Sequence, residues 1–526
     1  MFLEIELLYF VAMLATFVVL LLVCKLNAGV SLMCSALVGG LLYAIISGNW
    51  YALDPRYYIE GAFGYIDTIL VIVAAMVFIG GIEACGALDY VSAALVKALR
   101  RFPTILLLAF MFILMLPGMI TGSSLAAIIS CGTIVAPIML KMGIPKQKVG
   151  VIVAFGAILG MVAPPINIPV MVICDVVDIP YTGFDLPLML LTFPMAIVIT
   201  LLLSRSFKKS ADQAPVKKNW TENAILLGVL GAIYAALLIV YLVSIKETSA
   251  LHAQTKLYGI LALIYGVLVA IAAAIIVFGR PYCSNITKEE TANVVNMEVL
   301  KELKWHCITP VIVIVALFLL QSFLPTWAVS LGESFGFESV IYQIFDKIAL
   351  TISVTPLLFV ISVIPALFMG RKKNKIEVIK NGVVKSVSAM SLLMGVGMFL
   401  EIMTLNGVRG YFVINALCLP DVWRYISIVV AMPLFGGVSA FGSASILGGP
   451  FVMALLGVAD EIFVASALSL VAATGEFLPP TAMSANFSAQ VVGEKKYSVL
   501  TKTAILPILL VLAYALAFII GVAPCI

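Results

Sequence analysis

Charge is scarce in this sequence. Asp, Glu, Lys and Arg make up 11% of its 526 residues, against about 25% in an ordinary soluble domain. A soluble chain of this length has far more surface than so few charges can cover, so a cytosolic enzyme and a nucleic-acid binder are both excluded. Histidine is nearly missing, with only His252 and His306. There is no HExxH pair for zinc, and neither histidine can be set beside a serine at one membrane depth, which argues against an intramembrane hydrolase and for a protein that is not an enzyme. The nine cysteines include no CxxC pair. Cys24, Cys34, Cys85, Cys131 and Cys174 sit in apolar runs and read as small hydrophobes. A basic leader is lacking too: MFLEIELLYF carries acids where a secretory signal has Lys or Arg, so no cleaved segment is expected.

What is present is apolar. Hydrophobic residues are 63% of the chain and the mean hydropathy is +1.18, which leaves the bilayer as the solvent for most of it. Twelve spans of about twenty residues with two apolar hairpins of about forty account for about 320 residues, close to the apolar share. The candidate spans fall at roughly 5–24, 28–47, 67–95, 149–175, 186–204, 221–245, 257–279, 307–325, 350–370, 384–404, 463–490 and 503–523. Cations gather at Lys97 to Arg101, Lys141 to Lys148, Arg205 to Lys209, Arg371 to Lys375 and Lys495 with Lys496. The positive-inside bias puts these loops in the cytoplasm and both termini outside.

Between the first two of those clusters lies one apolar stretch, residues 102–143, whose middle is the uncharged turn PGMITGSS. Two full crossings would need a polar outer loop, so the stretch reads as a re-entrant helical hairpin with its tip inside the membrane. Residues 422–458 repeat the pattern around GGVSAFGSAS with no basic cluster at the base, so this second hairpin should enter from the other side. A span broken by a proline pair follows each hairpin, AILGMVAPPINIPVMV and AATGEFLPPTAMSANF, and a span bearing Glu83 or Glu401 precedes each. The expected architecture is an all-α integral membrane protein of about twelve transmembrane helices plus two re-entrant hairpins in an inverted repeat. The first repeat is 1–205, an inserted linker with two extra spans and a charged segment is 206–305, and the second repeat is 306–526. Such repeats with paired broken helices are the signature of a secondary transporter with its site near the midplane.

A proline pair removes two backbone donors and breaks the helix before it, so carbonyls and N–H groups are freed at the break. Freed carbonyls with hydroxyl or amide oxygens suit a hard cation such as Na⁺, and half-helix N-termini favour an anion. Gly122, Ser123, Ser124 and Thr133 are set against Pro164, Pro165 and Asn167 in the first repeat. Gly442, Ser443 and Ser445 are set against Thr474, Gly475, Pro479, Pro480, Thr481 and Asn486 in the second. Any one hydroxyl here serves equally as helix-packing glue. Glu476 lies three residues before the second proline pair, where it can join a cation site or carry a proton, whereas Glu83 and Glu401 fall near span ends and also read as interfacial. The substrate is expected at Ser123, Ser124, Asn167, Ser443, Ser445, Thr481 and Asn486. The cation is expected at Gly122, Ser123, Pro164, Asn167, Gly442, Ser443, Thr474, Gly475, Glu476 and Pro479, with no other metal and no cofactor.

The stretch TGSSLAAIISCGTIVAPIMLKMGIPKQKVGVIVAFGAILGMVAPPINIPVMV, and less sharply residues 431–490, resembles the large membrane subunit of the tripartite ATP-independent periplasmic (TRAP) transporters, within the wider ion-transporter superfamily. The resemblance implies Na⁺-coupled symport of a small carboxylate or other organic anion across a bacterial cytoplasmic membrane. It implies an elevator motion of a transport part against a scaffold, and cation sites where each hairpin tip meets its broken helix. A soluble substrate-binding protein and a small membrane subunit are the partners it implies, beside the lipid bilayer. The 206–305 insertion departs from that family and stands open as a replacement for the small subunit or as its dock. An autonomous H⁺- or Na⁺-coupled carrier is the alternative, and a channel a more distant one.

Overall fold

The computed structural model describes residues 2–206, 219–245, 255–282, 303, 305–318, 320, 355–369, 374–456, 459–479 and 481–525. Apart from one two-residue pairing of Arg205–Ser206 with Arg280–Pro281, the described chain is helical. Nine helices among the described residues are long and apolar enough to cross a membrane, so the chain is a multi-pass helical membrane protein. Seven of the nine coincide with spans the sequence predicts, and the other two, Pro103–Thr121 and Ser124–Lys141, are the arms of the first predicted hairpin. The five predicted spans not among them are the shorter first helix, the two broken by proline pairs, and 307–325 and 350–370, the last two each lying partly outside the described residues.

In chain order the helices are α1 (Phe2–Leu22), α2 (Ala28–Ser47), α3 (Pro55–Phe63), α4 (Ile66–Cys85) and α5 (Ala87–Leu99). The predicted span at 67–95 is thus two helices: Gly86 adopts φ +83°, a left-handed conformation that ends α4. The hairpin follows as α6 (Pro103–Thr121) and α7 (Ser124–Lys141). Next come α8 (Lys146–Val162), α9 (Ile168–Val177), α10 (Asp185–Leu203), then α11 (Trp220–Ser244) and α12 (Thr255–Phe278) in the insertion. The remainder is α13 (Trp305–Phe318), α14 (Thr355–Phe368), α15 (Lys375–Leu405), α16 (Val408–Cys418), α17 (Asp421–Gly436), α18 (Ala440–Leu455), α19 (Glu461–Thr474), α20 (Met483–Val491) and α21 (Tyr497–Val522).

The chain forms two compact units. One comprises residues 1–65, 95–294 and 391–526, and the other 66–94 and 295–390. In the smaller unit α4 packs on α14, with Phe78 against Phe359, and Glu83 is paired with Lys385 at 2.8 Å. That ion pair is partly exposed.

In the larger unit the two hairpins and the two broken helices share local detail. α7 and α18 each open on a capping serine whose Oγ accepts an N–H three residues on, Ser123 from Ala126 and Ser439 from Gly442. Five residues after each cap the helix takes one π turn, at Ile128–Gly132 and Ala444–Gly448. The broken helices match as well. α8 runs 17 residues, about 25 Å, before the break at Ala163–Asn167; α19 with the 3₁₀ turn Gly475–Phe477 is of the same length before the break at Leu478–Ala482. Each long half-helix crosses its hairpin at a glycine. A Cβ on Gly160 would lie 2.4 Å from the Met115 carbonyl, and one on Gly475 would lie 2.3 Å from that of Pro433. Packing is exchanged between the sets: α7 lies on α20, and α18 on α9.

The insertion clasps the first hairpin. Glu222 of α11 accepts hydrogen bonds from the N–H groups of Thr104 (2.5 Å) and Ile105 (3.0 Å), which caps the start of α6. Beside it the buried Arg205 guanidinium donates to Asn223 Oδ1 and to the carbonyl of Ile276. Burial lowers the pKa of Arg205, and the nearby Glu222 opposes that.

Candidate functional site

The first hairpin turns at Gly122 and Ser123. Gly122 has φ +61°, and a Cβ there would meet Ile168 at 2.5 Å, so the tip lies against the first break. One backbone bond joins them, from Ile166 N–H to the Met119 carbonyl. The second hairpin turns at Gly437–Ser439 rather than around Gly442, and Thr481 N–H and Oγ1 both donate to the Gly437 carbonyl, at 3.0 and 2.7 Å. Ile166 and Thr481 thus make the same tie in the two sets.

Asn167 is fully buried and organises the first break. Its Oδ1 accepts Val170 N–H, which caps α9, and its Nδ2 donates to the Val162 carbonyl (2.8 Å) and to Ser469 Oγ of α19 (2.9 Å). Tyr181 closes the loop: its hydroxyl accepts Asn167 N–H and donates to the Pro165 carbonyl, each at 3.1 Å. The Pro164–Pro165 peptide is cis. The carbonyls of Ala163, Pro164 and Pro479 accept no hydrogen bond among the described residues.

Glu476 ties the second break to the first hairpin. It is 6% exposed; its Oε2 accepts Ser124 Oγ at 2.6 Å and also the hydroxyl of Ser484 in α20. Its hydrogen-bond partners among the described residues are these two hydroxyls. A buried carboxylate held only by hydroxyls carries a desolvation cost of several kcal/mol that its hydrogen bonds offset in part. Asn167 and Glu476 therefore make reciprocal links, each reaching from its own break into the other set.

The remaining predicted residues divide. Thr474 Oγ1 donates to the Val471 carbonyl and Gly475 C=O accepts Leu478 N–H, so both finish α19. Ser443 Oγ donates to the Met432 carbonyl at 2.7 Å and Ser445 Oγ to that of Gly442 at 3.0 Å. With Gly442 these two lie inside α18 instead of forming the hairpin tip, Ser443 tying the two hairpin arms together and Ser445 bonding within its own helix. Asn486 donates to the Thr481 carbonyl, 2.6 Å away, while Pro479 is exposed. Thr133 stands apart, exposed on α7 and bonded to its own helix at Ile129. Pro480 lies outside the described residues. Glu401 is in α15 beside Glu60 and Arg409, away from both breaks.

Four residues escape a reading of the sequence: Ser439, Ser469, Ser484 and Tyr181. Ser439 was open to discovery, since a serine ahead of a short apolar run is a capping signal. Ser469 and Ser484 sit in helices with no pattern that marks their depth, and Tyr181 lies in a loop. No protein-family model matches this chain, and no match to it is found among curated proteins.

Proposed function

We propose that the chain is a secondary active transporter that carries a small carboxylate or other organic anion with Na⁺, by an elevator motion, in the manner of the TRAP large membrane subunit it resembles. The observation that carries this reading is the pair of reciprocal links, Asn167 to Ser469 and Ser124 to Glu476 to Ser484, where two broken helices and a hairpin tip converge. Each part has a use in such a carrier. The carbonyls of Ala163 and Pro164, which accept no hydrogen bond among the described residues, are neutral oxygens suited to a hard monovalent cation. Asn167 fixes the shape of that break and the start of α9, whose positive dipole end favours an anion. Glu476 contributes a negative charge, and its hydroxyl partners let occupancy at one set be felt at the other. In this reading the two sets are inverted in the membrane and the hairpins are re-entrant.

The test is uptake by the purified full chain in liposomes under an inward Na⁺ gradient, with labelled mono- and dicarboxylates. Saturable, Na⁺-dependent uptake is expected, reduced at least tenfold in Glu476→Gln and Asn167→Ala. Uptake indifferent to Na⁺ would count against the coupling. Correctly inserted protein that carries nothing alone, yet transports when a soluble binding protein and a small membrane subunit are added, would make the tripartite form the working one.

A further inference from the structure

A serine or threonine inside a helix has a ready acceptor in the carbonyl three or four residues back. Thr192, Thr200, Ser466 and Ser469 all use it. Ser488, in α20, does not. It is fully buried, yet its Oγ has no hydrogen-bond partner among the described residues. A buried hydroxyl without a partner costs free energy, so Ser488 forgoes a bond within its own helix at a loss to the protein.

Its surroundings point to what the hydroxyl is kept for. One turn back on the same face of α20 is Ser484, also fully buried, which turns away from its own helix to donate to Glu476 Oε2. Ser124 Oγ reaches the same carboxylate oxygen from the start of α7, at 2.6 Å. Beyond that point α20 lies against the π turn Ile128–Gly132 of α7, and turns of this kind are frequent at functional sites. The Glu476 carboxylate and the Ser484 and Ser488 hydroxyls thus stand in series along one face. α20 ends at Val491, and Gln490 and Gly493 are exposed, so Ser488 lies between the carboxylate and the exposed end of the helix.

We propose that this face of α20 binds a monovalent cation, its charge met by Glu476 and its further ligands supplied by the hydroxyl oxygens of Ser484 and Ser488. The proposal rests on the reading of Glu476 as part of a cation site, and it carries that site one turn past the break. One carboxylate with neutral hard oxygens matches a single positive charge, whereas a divalent ion draws on more anionic ligands. An anion is repelled from the same face by Glu476. The bond that Ser488 leaves unmade in its helix is the one it makes to the ion.

The experiment follows the unfolding temperature of the purified full chain in detergent as NaCl replaces choline chloride at constant ionic strength, because a bound ion raises that temperature. The unaltered protein should gain stability saturably with Na⁺. In Ser488→Ala the half-saturating Na⁺ concentration should rise at least tenfold, while the unfolding temperature in choline alone stays level or increases, since only an unpartnered hydroxyl is lost. Ser488→Cys, with a soft sulfur in place of the oxygen, should behave alike. Glu476→Gln should abolish the Na⁺ response. Thr192→Ala, which removes a buried hydroxyl bonded within its own helix, should leave the half-saturating concentration where it was. A normal Na⁺ dependence in both Ser488 variants would overturn the proposal and leave Glu476 as a cation ligand, and a lowered unfolding temperature in choline beside it would make Ser488 a packing residue. No Na⁺ response in the unaltered protein would overturn the site and the Na⁺ coupling together. Saturable Na⁺ binding without Na⁺-driven uptake would retain the site and remove the carrier.

Discussion

Asn167 engages its Oδ1 and its Nδ2 at the first break, as a cap, as a donor to the preceding half-helix and as a link to α19. Replacing it with Ala removes a cap and leaves buried partners without bonds. Asn167→Ala should therefore destabilise the protein by about 2–3 kcal/mol, read as a lowered unfolding temperature in detergent. A loss below the error of that measurement would mean the break is held by its packing alone. Ser124→Ala is milder, because Ser484 continues to hold the Glu476 carboxylate; about 1–3 kcal/mol is expected for one hydrogen bond to a charged group.

Glycine decides contact at the scale of helices. Gly160 and Gly475 let α8 and α19 lie on the backbones of the two hairpins, and the facing atoms are backbone carbonyls that cannot turn aside. Gly160→Val and Gly475→Val should each cost more than about 3 kcal/mol as overpacked sites and strip folded protein from membranes. Gly228→Val and Gly231→Val on α11 have open space around the added atoms and should be harmless. Fluorescence size exclusion of the four variants makes the comparison, and equal yields would refute it. Much at this scale is legible in the sequence. Long apolar runs, uncharged Gly-Ser turns and proline pairs announce two hairpins at 102–143 and 422–458, and the helices occupy Pro103–Lys141 and Asp421–Leu455. The stop at Gly86 is not legible, because a lone glycine in an apolar run has the same composition whether its φ is positive or negative. The tip of the second hairpin is displaced for a similar reason: GGVSAFGSAS offers several serines, and capping geometry alone selects Ser439. Hydrogen bonds such as Ser124 to Glu476, between residues 352 apart, leave no trace in local pattern.

For the molecule as a whole, the basic loops predict an orientation. α8 and α9 join the loop before Lys146 to the loop containing Thr182, both exposed, so the two sites should face opposite sides of the membrane. In a chain with its native cysteines replaced, Thr182→Cys should react with a membrane-impermeant thiol reagent in intact cells. Lys146→Cys should react only after the membrane is opened. Labelling of both from one side would contradict the positive-inside assignment and the crossing by α8 and α9 together.

The clasp by Glu222 also bears on how the protein is made. The two N–H groups it caps belong to α6, and the carboxylate that satisfies them is 118 residues further along the chain. During synthesis the first hairpin therefore emerges with its base uncapped, and it stays so until the insertion has left the ribosome and α11 has come to lie beside it. The insertion thus acts as a late fastener on an early element, and a chain halted before residue 222 would hold its first hairpin less firmly than the finished protein does.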